Sequence, residues 1–395
     1  MEWKMNFSFD EIIDMSETGS IKWGMIEKFF GEKGLTPMWV ADMDFRGPAA
    51  VIEALKRRVE LGIFGYTGRT DSLVEAVAGW MYRRHHWRVK KEWICYSPGV
   101  VSALNACVQS YTVPGDRVII QPPVYPPFFD TVRANGRELV LNPLILANGR
   151  YEMDFDDLRK KAKTSQAKML ILCSPHNPIG RVWTQGELEQ LAQICIEHDL
   201  IIVSDEIHSD LVFKPFKHIP LTMADPRIES RTIVCMAPSK TFNMAGLASS
   251  FIVIPDPQLR ETFNAFMEKA HLTLINPFSL TAADAAYRYG DEWLEQVLNY
   301  IKGNVDYLIE FVNQQIPQLS VIRPEGTYLA WIDCRALGFT PDALQNFMWK
   351  QAKVALNAGT GFGEEGGGFM RMNLAAPRPV LEEALSKIES AIRTL

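Results

Sequence analysis

A lysine, a carboxylate and a carboxamide, each just beyond a β-rich apolar run, are the residues of this chain with the most chemistry to offer. Lys240 lies in Ile233-Val234-Cys235-Met236-Ala237-Pro238-Ser239-Lys240-Thr241-Phe242-Asn243, where the run ends at a proline and a Ser-Lys pair follows. A lysine at the mouth of a buried strand is poised to form imines, because desolvation lowers its pKa and frees the amine as a nucleophile. Asp205 closes Ile201-Ile202-Val203-Ser204-Asp205-Glu206, and Asn177 follows Leu170-Ile171-Leu172-Cys173-Ser174-Pro175-His176. Singly, each is an ordinary loop residue: a lysine after a strand is usually solvated, and an aspartate there usually forms a turn. Jointly they suit one cofactor, pyridoxal phosphate. The carboxylate would keep a pyridine nitrogen protonated, the amide would hydrogen-bond the ring 3′-oxygen, and the lysine would hold the aldehyde carbon as a Schiff base.

A phosphate site should lie nearby. Tyr96-Ser97-Pro98-Gly99-Val100-Val101-Ser102 reads as a strand, a glycine and a helix start, and a helix N-terminus suits a dianion, although the same pattern is also an ordinary βα turn. The run Gly359–Gly368 is rich in glycine but has no following Lys-Ser/Thr, so it is no Walker loop and reads as a mobile loop. Tyr125, in the rigid segment Gln121-Pro122-Pro123-Val124-Tyr125-Pro126-Pro127, would either stack on a planar ring or pack on the core. Arg371 is a charge within the apolar run Phe369–Leu374. Burying it requires a partner, either a substrate α-carboxylate gripped bidentately or an internal salt bridge. The adjacent pair His85-His86 would point in different directions, which argues against metal ligation.

These residues need a scaffold. From about Pro48 to Ile254, short β-rich runs alternate with helical patterns, as in a parallel α/β sheet. Seven strands are expected, at Trp93–Tyr96, Arg117–Gln121, Glu138–Leu141, Met169–Cys173, Ile201–Ser204, Thr232–Met236 and Ser250–Ile254. Between them lie helices such as Thr184–Glu197, where Thr184 and Glu187 form a capping box. Beyond Pro257 the pattern turns helical through Phe278–Tyr289 and Glu292–Gln315. Strands near Thr327–Ile332 and Phe369–Asn373 and a helix at Pro379–Thr394 follow. Residues 1–45 read as irregular. The expected organisation is a large domain over 46–285 with the mostly parallel sheet flanked by helices, and a small α+β domain from 1–45 and 286–395.

Length and composition bound the remainder. A chain of 395 residues with 47% hydrophobic content can bury a large core without disulfides. The net charge of −6 offers nothing to a nucleic acid. Six scattered cysteines without a C-x-x-C pair read as buried thiols in a reducing compartment, not as a metal site. The first six residues carry no signal-peptide pattern and no apolar run is long enough to span a membrane, so the reading is a cytoplasmic protein.

The chain resembles the class I/II aminotransferase superfamily of pyridoxal phosphate fold type I. Within it, the chain is similar to the MalY/PatB-type carbon–sulfur β-lyases (cystathionine β-lyase-like enzymes). The likeness runs from Ile21-Lys22-Trp23 to the C-terminus. Its most specific pieces are Pro37–Phe45, Gly62-Ile63-Phe64-Gly65-Tyr66-Thr67, Ser97–Val101, Ser174–Pro178, Ser204-Asp205-Glu206-Ile207-His208-Ser209-Asp210 and Ala237–Asn243. The resemblance implies that Lys240 carries the cofactor, that Asp205 partners the ring nitrogen, and that Asn177 contacts the 3′-oxygen. It implies that Tyr125 stacks on the ring and that Gly99, Val100 and Val101 meet the phosphate, with His208 and Ser239 also among the cofactor contacts. Arg371 would take the substrate carboxylate beside Asn177, Trp39 and Val40. A homodimer is implied, with active sites at the subunit interface and Tyr66 reaching the neighbour's phosphate. Two positions depart from the wider aminotransferase pattern. Ala248 stands where a phosphate-binding arginine is usual, and His208 stands where a tyrosine is common. Both features are similar to the lyase branch.

The implied reaction is α,β-elimination from L-cystathionine or a related L-cysteine S-conjugate, giving a thiol, pyruvate and ammonia, with Lys240 as general base. An L-amino-acid aminotransferase is the first alternative, since it shares the early steps. A protein-binding regulatory role on the same fold is the second. Too little sequence precedes the cofactor domain for a helix-turn-helix module, which argues against DNA binding.

Overall fold

The computed structural model describes residues 7–163 and 167–395. Residues 1–6, on which the signal-peptide reading rests, lie outside them. The chain forms two compact units, one of residues 47–177 and 181–291, the other of residues 7–46, 178–180 and 292–395 among those described.

The larger unit is built on one seven-stranded sheet. Its strands are β1 (Ile94–Ser97), β2 (Arg117–Ile120), β3 (Glu138–Leu141), β4 (Ala167–Cys173), β5 (Ile201–Asp205), β6 (Thr232–Met236) and β7 (Ser250–Val253). All seven fall where the sequence predicts them. The order across the sheet is β1-β7-β6-β5-β4-β2-β3. Only β7 runs against its neighbours, antiparallel to both β1 and β6, so the other six strands share one direction. Strands β6 and β7 are buried at every residue, as expected when helices cover both faces and period-two alternation gives way to continuous apolar runs.

Helices around this sheet include α1 (Ala49–Glu60), α2 (Asp71–His85), α3 (Val100–Tyr111) and α4 (Gln185–Glu197). The Thr184 side chain accepts from Glu187 N and the Glu187 carboxylate accepts from Thr184 N, completing the capping box at α4. After β6 comes a single helical turn, α5 (Pro238–Thr241), and later α6 (Pro277–Tyr289), which packs on α1 and α2. Helix α3 lies against β5 and β6.

The smaller unit holds a four-stranded antiparallel sheet, β8 (Ser320–Ile322), β9 (Leu329–Asp333), β10 (Asn357–Ala358) and β11 (Phe369–Asn373), ordered β8-β9-β11-β10. Most of α7 (Asp291–Gln315) and all of α8 (Arg378–Ile392) belong to it. The N-terminal segment, read as irregular, contains a short helix at Ile26–Phe30. It also contributes a two-residue strand, Thr36–Pro37, that pairs in parallel with Val354–Ala355.

The Gly359–Gly368 run is not an open loop. It folds into two 3-10 turns, Gly359–Phe362 and Glu364–Gly366. A Cβ on Gly359 would overlap the carbonyl of Gly366, and one on Gly366 would overlap the carbonyl of Gly359. Gly359 and Gly366 are there for close backbone approach. The six cysteines are free and buried. Among the described residues no helix is long and apolar enough to cross a membrane, and no cluster of His, Cys, Asp or Glu could hold a metal. Gly366→Ala should lower stability by about 1–3 kcal/mol, since the added methyl meets backbone that has nowhere to move. Urea unfolding measures the change, and an unchanged midpoint would contradict this packing.

Candidate active site

Strands β4, β5 and β6 are parallel neighbours, and their register pairs Cys173 with Asp205 and Asp205 with Cys235. In-register residues of adjacent strands point to the same face, so Asp205 stands between two thiols. The ladder continues one step past the row, with Ser174 N donating to Asp205 O and Glu206 N to Cys235 O, both at 2.9 Å. The three segments therefore leave the sheet side by side. Asn177 comes four residues after Cys173 and Lys240 five after Cys235. The structure thus brings Asn177, Asp205 and Lys240 to the carboxyl ends of three adjacent strands, where open α/β sheets bind ligands.

The surroundings of Asp205 dictate its electrostatics. It is buried at 4% exposure and accepts a hydrogen bond from Ile207 N at 3.1 Å. Burial pushes its carboxyl up to about 7. The Ile207 N–H opposes the shift, the Glu206 charge adds to it, and the Lys240 charge opposes it. A cation placed beside this carboxyl would favour its charged form and draw the pKa back down. Lys240 is half-buried on α5. Asn177 is buried, and its backbone N donates to the Cys173 thiol at 3.4 Å, which in turn lies 3.5 Å from Pro175 O. The thiol braces the turn that presents the amide.

Strand β1 runs in the same direction as β4, β5 and β6, so α3 begins at the same edge of the sheet. Its N-cap is Gly99, and no side chain caps it. A Cβ on Gly99 would meet only open space. The first-turn amides of Val100 and Val101 are thus presented at a bare helix N-terminus of twelve residues, an arrangement suited to a dianion. Ser239 is half-buried beside Lys240, and His208 is buried three residues after Asp205. Tyr125 is partly buried against the core, its ring edge-on to Phe128 at 6.5 Å. Ala248 is exposed and left-handed at φ 50°, and its carbonyl accepts from the Tyr96 hydroxyl at 3.1 Å. Tyr66 is 96% exposed in this single chain.

In the smaller unit, Arg371 sits mid-strand on β11, opposite Trp331 and Asn357. Its Nη2 donates to two neutral acceptors, Trp39 O at 2.9 Å and Asn357 Oδ1 at 2.7 Å, and its guanidinium lies 4.8 Å from the Phe362 ring centroid. Trp39 and Val40 belong to a segment that is itself held. Asn373 Nδ2 donates to Val40 O and Asp42 O, both at 2.6 Å. The buried Lys22 ammonium reaches Asp44 Oδ2 at 2.8 Å.

Sequence reasoning passed over a buried polar group behind Lys240 and Asp205. Glu206 accepts from Ser204 Oγ at 2.8 Å and Leu221 N at 3.1 Å, and its Oε2 lies 2.7 Å from His218 Nε2. Asp210 lies 2.9 Å from His85 Nε2 and accepts from Trp80 Nε1 and Thr241 Oγ1. Weighed only as a metal ligand, His85 is instead the partner of a buried carboxylate. The one available signal was the density of acids in Asp205–Asp210, which no apolar strand end requires.

Residues 39–388 match the family model for aminotransferase class I and II, and the chain belongs to that family. It is 43% identical over 385 residues to cystathionine beta-lyase PatB of Bacillus subtilis, covering 98% of this chain and all of that protein. A crystal structure of a PLP-bound putative aminotransferase from Clostridium difficile superposes with a TM-score of 0.96 at 46% identity, over 98% of this chain and all of that one. The PLP-bound C-S lyase from Staphylococcus hominis gives 0.92 at 36% identity, over 98% of this chain and 99% of that one.

The state of Asp205 has a measurable consequence. Its pKa in the folded, cofactor-free protein lies at about 7, above the ordinary 3.8, so the folded chain holds this proton more tightly than the unfolded chain. The associated stability is complete below about pH 4 and is lost as the pH rises to about 7. Asp205→Asn should therefore be more stable than the parent at about pH 8, by roughly 4 kcal/mol, with the gap closing near pH 4. Urea unfolding of both proteins at several pH values tests this, and a pH-independent gap would contradict the burial argument.

Proposed function

We propose that this chain is a pyridoxal phosphate-dependent carbon–sulfur β-lyase, which releases a thiol from L-cystathionine or a related L-cysteine S-conjugate and leaves pyruvate and ammonia. The observation that carries the reading is the set of three adjacent parallel strand ends, the middle one bearing a buried carboxyl and the outer two leading into the segments that carry Asn177 and Lys240. The residues fit the cofactor on two independent counts. A bare helix N-terminus with open space at Gly99 suits the phosphate, and a carboxyl whose charge burial disfavours would gain a compensating cation from a protonated ring nitrogen. The names of relatives such as PatB and the Staphylococcus hominis lyase support elimination as the reaction.

When bound, the cofactor supplies an aldehyde carbon that takes up amines and a ring that accepts the electron pair left at Cα. Asp205 would hold the proton at the ring nitrogen. Asn177 would donate to the 3′-oxygen, with His208 beside it. Tyr125 would cover one face of the ring, while the amides of Gly99, Val100 and Val101, with Ser239, would bind the phosphate. With Ala248 in place of a basic residue, neutral donors carry more of that anion. Lys240, the cofactor's anchor at rest, would take the Cα proton as general base once the substrate amine displaces it. Arg371 would take the substrate carboxylate with its planar fork, a role that Trp39 O and Asn357 Oδ1 assist by orienting Nη2. Trp39 and Val40 would border the substrate.

A homodimer belongs to the same reading, with Tyr66 reaching the partner's phosphate. Tyr66 is exposed within a run that also exposes Leu61, Ile63 and Phe64, with Leu274 exposed as well. Solvated apolar surface of this extent on one unit suits a covered interface. Ile63→Asp should shift the protein from dimer toward monomer in sedimentation velocity and speed cofactor loss on dialysis. An unaltered dimer would remove this surface from the interface.

Pyruvate release from cystathionine with no added 2-oxo acid is the decisive assay. Transamination would need the second substrate and would leave the C–S bond intact, so glutamate formed from 2-oxoglutarate without pyruvate would favour the aminotransferase alternative. Lys240→Ala should lower turnover by at least roughly a hundredfold, the contribution expected of a general base. Retained parental turnover would refute its role.

A further inference from the structure

The turn of helix that carries Lys240 cannot orient itself. Helix α5 is four residues long, Pro238–Thr241, and a single turn has no stability of its own. Pro238 sets the entry, and Phe242 N closes the turn on Pro238 O at 2.9 Å. At the exit, Thr241 is wholly buried and its Oγ1 donates to Asp210 Oδ2 at 2.8 Å.

Asp210 is an unusually well-fixed acceptor. Its carboxylate receives Trp80 Nε1 at 3.1 Å and 3.2 Å and lies 2.9 Å from His85 Nε2. Arg84 Nη2 donates to its backbone carbonyl at 3.3 Å. Burial works against its charge, but the His85 hydrogen bond and charge, the Arg84 charge and the Thr241 hydroxyl together hold the carboxyl below its ordinary value. Only a carboxylate offers acceptors to donors arriving from three sides. A second imidazole extends this frame. The His85 ring lies edge-on to His218 at 5.4 Å, and His218 pairs with Glu206, the residue after Asp205. Asp205 is thus one residue from Glu206, the partner of His218, and Lys240 is one residue from Thr241, whose acceptor Asp210 is the partner of His85.

We propose that Asp210, acting through the Thr241 hydroxyl, is the positioning residue of Lys240, fixing the direction of its amine and hence its rate of condensation with an aldehyde. The inference rests on the reading that Lys240 is the imine-forming lysine. In that condensation the neutral nitrogen bonds to the aldehyde carbon, and the carbonyl oxygen leaves as water with both amine hydrogens. No oxidant or reductant takes part.

Cofactor-free protein is mixed with pyridoxal phosphate and quenched at timed intervals with borohydride, which reduces the C=N bond to a stable secondary amine. Peptide mass spectrometry then counts the label on Lys240. Thr241→Val, which removes one hydroxyl at similar volume, should slow labelling at least tenfold, and Thr241→Ser should restore it to within about twofold. Gly366→Ala, destabilising but remote from this frame in the chain, should label at the parental rate, which separates positioning from general loosening. If Thr241→Val does not fold, Thr241→Ala compared with Thr241→Ser isolates the same hydroxyl. Parental labelling of Lys240 in the hydroxyl-free variant overturns the inference. A parent whose label lies on another residue overturns the Lys240 reading instead.

Discussion

A carboxyl kept from water in the middle of a parallel sheet is the constraint around which the larger unit is organised. Asp205 lies on β5 between the thiols of Cys173 and Cys235. An unpaired charge in such a place is costly, so the group stays poised between its two protonation states. Ile207 N–H and the Lys240 charge lower that cost, while the Glu206 charge raises it. Because three parallel strands end in register, the segments bearing Asn177, Asp205 and Lys240 emerge together without any of them being near in sequence. Helix α3 starts at the same edge because β1 runs the same way as β4 to β6.

Both units secure short segments by one physical device, a buried ion held by several donors or acceptors. In the larger unit, Asp210 gathers Trp80, His85 and Thr241. In the smaller, Lys22 meets Asp44, and Asn373 holds the carbonyls of Val40 and Asp42. Buried pairs of this kind add little net stability compared with apolar packing, since desolvation offsets most of the attraction. What they provide is position: a charged group with several fixed partners has one low-energy place. Short segments such as α5 and Trp39–Asp44, which have no helical or strand periodicity to hold them, are where such fixing matters most.

Cysteine serves the same end more quietly. Burial and the charge of Asp205 push the Cys173 thiol well above its ordinary range, which favours the protonated form. It lies within hydrogen-bonding distance of both Pro175 O and Asn177 N, bracing the turn between them. The reading of all six cysteines as buried thiols agrees with their free, buried state, while this bracing role depends on a turn that composition does not reveal.

The seven strands of the large sheet, the capped helix at Gln185–Glu197 and the residues at the strand ends were legible in the amino-acid order. Each depends on neighbours a few positions away: β-branched runs, a Thr-x-x-Glu cap, and polar residues where an apolar run stops. The tertiary structure alone decided that β4, β5 and β6 lie side by side, that β7 runs the other way, and that His85 belongs with Asp210 across 125 positions of chain. It also turned the Gly359–Gly368 run from an expected loose loop into two packed turns. Local propensity is written in adjacent residues, whereas strand register and the partner of a buried charge depend on which distant segments share the same dry interior, and burial itself creates the need for that partner.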